Sequence, residues 1–423
     1  MIKEYLKLGK KLSLAVIIFV IIGYLMVSFS FAIPSSAMTD NMKKSAELLS
    51  KEECTPHEQR SNKVLDNYTD SLMLLQAAYA GEESIFDKGV GVYFNLVNDM
   101  RPYESLLAEY LNDDGSGVRS SRYAHYWQGY LIFLKPLLVL TDYGAIRILN
   151  GVVLSVLTVI AVLLLIRFMP KALIPFCLCV LLAAPTAVCN NMNYSAICYI
   201  SLLGIILLLW NPKHWFDDEG VRYLFFGIGV ATTYFDYLTA PTAPLSLLLA
   251  ILCMQRENSD KRLKLMIECL LCWCFGYAAM WLGKWGIALI VKKQDFLNSL
   301  LYHLTKRFTK TSLYNESVTR VETLNRNLNV LFDNQYLDYL IAAYGLILII
   351  HNLYNRRRIL PKRIDSFLLL FIPGLIGVAW ILIVTNHSNV HYWFTYRTLI
   401  PCVFCILCAL DLGGIAEGVM NTK

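Results

Sequence analysis

Residues 12–33 read "LSLAVIIFVIIGYLMVSFSFAI", an apolar run with no charged side chain. As a helix such a run is about 33 Å long, enough to cross a hydrocarbon core of about 30 Å. Lys3, Lys7, Lys10 and Lys11 precede it, and Ser35 and Ala37 follow as the small residues of a candidate cleavage site. The apolar core of a signal peptide is about 7–15 residues. This run is longer, so it is expected to remain as an uncleaved first membrane span.

The rest of the chain agrees with that reading. Of 423 residues 56% are hydrophobic and only 17% charged, a balance unsuited to a soluble domain of this size. Backbone polar groups in lipid must be satisfied internally, which leaves helices or a closed barrel. The further apolar runs have helix length, whereas barrel strands are shorter and alternate in polarity. The net charge of +6 is informative by its distribution along the loops and gives no indication of a nucleic-acid partner. Most of the twelve cysteines, among them Cys177, Cys179, Cys272, Cys274, Cys402, Cys405 and Cys408, lie in apolar runs, and Cys54 lies in a long polar stretch. Buried cysteine behaves as a small hydrophobe. No disulfide framework and no zinc spacing is apparent.

Further spans are predicted near 144–166, 172–189, 194–210, 222–239, 241–254, 265–291, 336–352, 366–385 and 393–413, about ten in all with the first. The "LTAPTAPL" stretch near 238–245 reads as a tight turn or a broken helix. The expected organisation is a cytoplasmic N-terminus and first span (1–33), a long extracytoplasmic loop with juxtamembrane helices (34–142), spans (143–291), a second extracytoplasmic loop (292–335) and C-terminal spans (336–423). Within 34–142, residues 127–140 form a short apolar segment interrupted by Lys135 and Pro136. No internal repeat or low-complexity tract is visible.

Charge asymmetry orients the chain. With the N-terminus inside, the inner loops hold Lys3, Lys7, Lys10, Lys11, Arg167, Lys171, Lys213, Arg222, Arg256, Lys261, Arg262, Lys264, Arg356, Arg357, Arg358, Lys362 and Arg363. The short outer loops "CNNMNYS", "DYLTAP" and "NHSNVHYW" hold no Lys or Arg. This is the positive-inside pattern, from which long loops are exempt. An even number of spans returns the C-terminus to the cytoplasm.

The unusual polar residues then collect at the outer face. Asp66 and Asp70 lie in "LDNYTD", and Arg122, His125, Tyr126 and Trp127 in "SRYAHYWQGY". Asn190, Asn191 and Asn193 cap a hairpin. Asp236 ends one span in "TTYFDYLT". Lys284 stands between Trp281 and Trp285, and His387, His391 and Arg397 occupy the last outer loop. A charge within a span usually faces the bundle interior or a water-filled cavity. Each residue also has a plainer reading. Asp66 or Asp70 serves as a helix cap; Asp236 pairs with Lys284; Lys284 snorkels from an aromatic belt that includes "SRYAHYW". The histidines are then interfacial loop residues and the asparagines turn residues. The convergence of five segments on one face favours function.

The architecture and the runs "LDNYTDSLML", "SRYAHYWQGYLIFLKPLL", "TTYFDYLTAPTAPL", "WLGKW" and "NHSNVHYWFTYR" resemble the GT-C superfamily of membrane glycosyltransferases, in an uncharacterised bacterial branch. The resemblance covers most of the chain as architecture. It implies an all-α, polytopic transmembrane bundle in a bacterial cell membrane, with the active site facing outward and an acidic catalytic residue in the first outer loop. Asp70, about 37 residues beyond the first span, is farther along than that residue often lies. The implied donor is a polyprenyl-phosphate-linked sugar, and the acceptor a glycan, lipid or protein of the cell envelope. Asp70 is the expected base toward the acceptor hydroxyl, with Asp66 or Asp236 second. Arg397, Lys284 and Arg122 are expected on the phosphate, with His387 or His391 donating hydrogen bonds. Tyr126 and Trp127 would stack on a sugar, and His125 completes the substrate-binding set. No metal ligand is assigned, although two carboxylates in one loop leave room for a divalent cation. Two other classes stand beside this one. A transporter or flippase of a lipid-linked or polar substrate would place its polar groups near the midplane, often with repeat symmetry. A non-catalytic envelope assembly protein would use the same charges as closed ion pairs.

Overall fold

The computed structural model describes residues 2–52, 61–111, 117–210, 217–255, 259–308, 318–354 and 361–412. The chain is nearly all helical. From the N-terminus it runs through α1 (Ile2–Ser30), α2 (Thr39–Glu52), α3 (Asn67–Ala78), α4 (Ile85–Gly91), β1 (Tyr93–Val97), α5 (Pro102–Leu111), β2 (Val118–Arg122) and α6 (Leu131–Leu140). Then follow α7 (Tyr143–Phe168), α8 (Pro170–Leu182), α9 (Pro185–Cys189), α10 (Met192–Leu209), α11 (Asp218–Phe235), α12 (Thr242–Gln255) and α13 (Ser259–Phe308). The last part holds α14 (Arg320–Leu331), α15 (Gln335–Tyr354), α16 (Pro361–Ile383), α17 (Thr385–Val390), α18 (Tyr392–Thr395), a 3-10 turn (Tyr396–Leu399) and α19 (Ile400–Leu412).

Among the described residues six helical stretches are long and apolar enough to cross a membrane: Lys3–Ser30, Tyr143–Phe168, Met192–Leu209, Lys261–Val291, Gln335–Tyr354 and Tyr392–Asp411. Four shorter apolar helices accompany them, Leu131–Leu140, Pro170–Leu182, Thr242–Gln255 and Leu369–Ile383. α11 is in neither group, since Asp218, Glu219 and Arg222 fall within it. α7 and α15 turn Ile148, Val152, Val156, Ile347, Ile350 and other large apolar side chains outward, the surface a lipid solvent requires.

Several expected spans are subdivided. The run near 172–189 breaks between α8 and α9, where Ala184 takes φ +56° just before Pro185. The residue before a proline is disfavoured in the helical region, and the pyrrolidine starts the next helix at its first position. The pair near 222–254 is interrupted at 236–241 as "LTAPTAPL" suggests, and Leu238 adopts φ +63° there. α13 continues through Phe308, well beyond the expected end near 291. Region 34–142 holds helices as expected and also a two-stranded antiparallel sheet, with Tyr93 opposite Arg122 and Val97 opposite Val118.

Close backbone approach joins α11 to α13. A Cβ at Gly229 would lie 2.3 Å from the Trp273 carbonyl oxygen, and one at Gly276 2.5 Å from that of Phe226. Small residues at helix contacts replace the hydrophobic drive that lipid does not supply. Ion pairs tie one end of the bundle: Lys11 to Glu219 at 2.7 Å, and Arg222 to Glu268 at 2.6 Å. At the opposite end the last turns of α1 and α11 and the first turns of α7 and α10 meet region 34–142.

Candidate functional site

The N-terminus of α3 places two carboxylates one helical turn apart. Asp66 is the cap: its side chain accepts from Thr69 N at 3.1 Å and from Thr69 Oγ1 at 2.7 Å, as the orphan amides of a first turn require. Asp70, four residues on, points between α7 and α10 and is completely buried. It accepts from the Tyr143 hydroxyl, from Asn191 Nδ2 at 2.9 Å and from the Asn193 backbone N–H at 3.4 Å.

Asn193 is the hub of the arrangement. Its Nδ2 donates to Asp66 Oδ2 at 3.0 Å, and its Oδ1 accepts from Thr239 Oγ1 at 3.0 Å. Thr239 N in turn donates to both oxygens of Asp236 at 3.1 Å. The three carboxylates nominated from sequence therefore belong to one buried network contributed by α3, the start of α10 and the turn after α11. That turn contains the left-handed Leu238, whose carbonyl accepts from His387 Nε2 at 3.0 Å. Bulky residues rarely take positive φ, and such backbone persists where its surroundings over-determine it. His391 lies against His387, ring centroids 4.7 Å apart, and stacks on Phe394.

Arg397 adjoins the network through Tyr194. The guanidinium lies 4.1 Å from that ring, and the Tyr194 hydroxyl donates to the Val64 carbonyl beside Asp66. Arg397 Nε donates to Ala183 O at 3.1 Å and Nη1 to Trp393 O at 3.3 Å, while the buried Nη2 has no hydrogen-bond partner among the described residues.

The remaining nominated residues form a second group. Lys284 is buried and donates to the carbonyls of Gly89 and Val90 at 3.2 and 2.9 Å, with its ammonium over the Trp127 ring. It does not pair with Asp236, which is held by Thr239. Trp127 is fully buried, its indole N–H on Met280 O at 2.9 Å and its ring against Tyr234. His125 meets Ser299 Oγ at 3.1 Å and the Phe296 ring. Tyr126 stacks on Tyr123 and lies 5.0 Å from the Tyr237 ring. Tyr237 links the two groups: its hydroxyl, 2.8 Å from that of Tyr130, donates to Gln76 Oε1 at 3.0 Å. Arg122 lies apart, exposed at the end of β2.

The sequence reading missed Tyr143, Arg147, Asn67 and Thr239, and it assigned the asparagines to turns. Asn190 does bond locally, to Thr186 O, but Asn191 and Asn193 hold carboxylates. Arg147 was within reach of the rule applied to Asp236, because a cation inside a predicted span marks a buried partner. It donates to Glu52 Oε1 at 2.6 Å and to Asn67 Oδ1 at 3.0 Å, and stacks on Tyr143.

Burial pushes Asp70 up to about 7, against the opposing pull of Arg147 and the Tyr143 hydrogen bond, with Asp66 adding to the rise. A carboxylate with an affinity near neutrality exchanges its proton readily at working pH. Among the described residues no group of three or more His, Cys, Asp or Glu is placed to hold a metal ion. No family model, curated protein or solved structure matches the chain.

Proposed function

We propose that this chain is a GT-C-like integral membrane glycosyltransferase. In this reading it has about ten spans, a cytoplasmic N- and C-terminus, and the carboxylate network at the extracytoplasmic face. It transfers a sugar from a polyprenyl-phosphate donor to a cell-envelope acceptor. The observation that carries the reading is the convergence of Asp66, Asp70 and Asp236 on Asn193 at the end of the bundle away from its basic turns. A carboxylate near neutrality suits a general base. The acceptor hydroxyl would take over one of the hydrogen bonds now made to Asp70, since such contacts reorganise when substrate binds.

The acceptor oxygen attacks the anomeric carbon and its proton passes to Asp70. The bond from that carbon to the phosphate oxygen breaks, and its electron pair leaves on polyprenyl phosphate. The departing anion needs a cation, and Nη2 of Arg397, unpartnered among the described residues, supports a role for that guanidinium. Lys284 and Trp127 fit a structural role better, because both are committed to backbone carbonyls. The strained break at 236–241 is the one feature that favours a transporter.

The test is transfer from radiolabelled polyprenyl-phosphate sugars in proteoliposomes, with Asp70→Asn as the near-isosteric control. Product from the wild type and none from the folded variant supports the reading. Undiminished transfer by Asp70→Asn removes Asp70 as the base, and substrate crossing the bilayer without transfer moves the transporter ahead.

A further inference from the structure

Asp70 is fully buried, yet it belongs to a set of side chains that reaches the surface. On one side the Tyr143 hydroxyl donates to it directly. Tyr143 begins α7, and Arg147, one turn later, lays its guanidinium over the Tyr143 ring with the centroid 4.6 Å away. The two ends of the guanidinium grip separate elements: Nη1 takes Glu52 at the end of α2, and Nη2 takes Asn67 in the first turn of α3. Asn67 Nδ2 closes the ring by donating to Glu52 Oε2 at 3.1 Å. Glu52 is the member that reaches solvent, its side chain 27% exposed against 5% for Arg147. Three elements of distant sequence are thus clamped around one carboxylate by a single cation.

We propose that Tyr143 and Arg147 are positioning residues for Asp70, Tyr143 by direct donation and Arg147 by fixing Tyr143, Asn67 and Glu52 around it. This rests on the reading of Asp70 as the base. An arginine shared between a carboxylate and an amide is held in a fixed fork, so the geometry of α2, α3 and α7 near Asp70 depends on it. Its positive charge also favours the ionised form of the nearby carboxylate, and Tyr143 does the same by hydrogen bonding. Burial and Asp66 act in the opposite direction. The other titratable groups facing Asp70 are Tyr130, just before α6, and Tyr194 from α10, while Glu52 is joined through Arg147. Without the clamp, Asp70 would hold its proton more tightly and could not serve as a base near neutrality.

The experiment is infrared difference spectroscopy of the full chain in nanodiscs, titrated across neutrality. The band of the protonated carboxyl that disappears in Asp70→Asn is assigned to Asp70. Its midpoint is then followed in Arg147→Gln, Arg147→Lys and Tyr143→Phe. The expected wild-type midpoint is near 7. Arg147→Gln should raise it by about one pH unit or more, a tenfold gain in proton affinity. Tyr143→Phe should raise it less, and Arg147→Lys should restore most of the wild-type value. A purely structural role would lower thermal stability without moving the midpoint. Unmoved midpoints in folded Arg147→Gln and Tyr143→Phe overturn the proposal, as does the absence of any band lost in Asp70→Asn. If Arg147→Gln does not fold, Tyr143→Phe and Arg147→Lys decide the matter by the same readout. Midpoints that move in a protein with no transferase activity would overturn the glycosyltransferase reading alone.

Discussion

Removal of the Asn193 side chain tests whether the carboxylate network is as integral as its geometry indicates. Asn193 is 3% exposed and its amide makes two side-chain hydrogen bonds, to Asp66 Oδ2 and from Thr239 Oγ1. Asn193→Ala leaves the backbone donation to Asp70 in place and deletes both side-chain bonds. Neutral hydrogen bonds contribute about 0.5–1.5 kcal/mol and those to charged groups about 1.5–3 kcal/mol. Asp66 keeps its two bonds from Thr69, and Thr239 keeps a weaker contact with Asn193 O at 3.3 Å. A loss of about 2–4 kcal/mol is therefore expected, read by equilibrium unfolding in mixed detergent–SDS micelles. Asn193→Asp sharpens the test, since it is nearly isosteric but places an oxygen where the amide nitrogen now meets Asp66. It should be less stable than Asn193→Ala near neutral pH and recover as the pH falls and carboxylates protonate. A change under about 0.5 kcal/mol for Asn193→Ala, the size of an ordinary surface substitution, would refute the hub.

Asp70 binds its proton more tightly when folded, with an affinity near 7 against 3.8 for a free side chain. Its contribution to stability is therefore full below about pH 4, declines as pH rises toward 7 and is level beyond; Asp70→Asn should remove that slope from the unfolding profile. If Asp70 is the base, transfer rate should fall about tenfold for each pH unit below its affinity. At the α11–α13 contact, Gly229→Ala forces a methyl group onto the Trp273 carbonyl and should cost about 1–3 kcal/mol. Gly227→Ala, where nothing lies within 4 Å of the added atom, should be neutral or slightly stabilising; equal melting temperatures for the two variants would count against the close approach.

What could be read from the sequence was what depends on local pattern. Apolar length located the long helices, and the proline pair in "LTAPTAPL" marked the break after α11. Strand pairing was not legible: Tyr93–Val97 and Val118–Arg122 are short, lie on either side of α5, and have side chains on the Val118–Arg122 strand that are mostly exposed. The Ala184 break was hidden because the apolar run continues through it. At the site, charge at the end of a span nominated Asp236, and the acidic residue that the resemblance implies in the first outer loop nominated Asp70 and Asp66, but neither signal found their partners. An asparagine that caps a turn and one that crosses between helices look the same in sequence, so only the folded chain distinguishes Asn190 from Asn193. The plainer alternative for Lys284 failed for a related reason. Lys284 was matched with Asp236 by charge, whereas the chain satisfies it with the C-terminal carbonyls of α4, a partner that carries no sequence signature.

That use of backbone carbonyls recurs and bears on biogenesis. Lys135 donates to Ala77 O at the end of α3, Lys284 to Gly89 and Val90 at the end of α4, and Arg397 to Ala183 at the end of α8. Each helix is thus finished by a cation that leaves the ribosome later, 58, 194 or 195, and 214 residues further along the chain. Asn193 is likewise synthesised long after Asp66 and Asp70, the carboxylates it joins. The first region can emerge and form its helices early, yet the end of α4 stays open to competing partners until α13 enters the bundle, and that of α8 until Arg397 arrives. Assembly of this end of the molecule therefore reports on completion of the whole chain, and a truncated product would present an open set of helix termini for quality control to recognise.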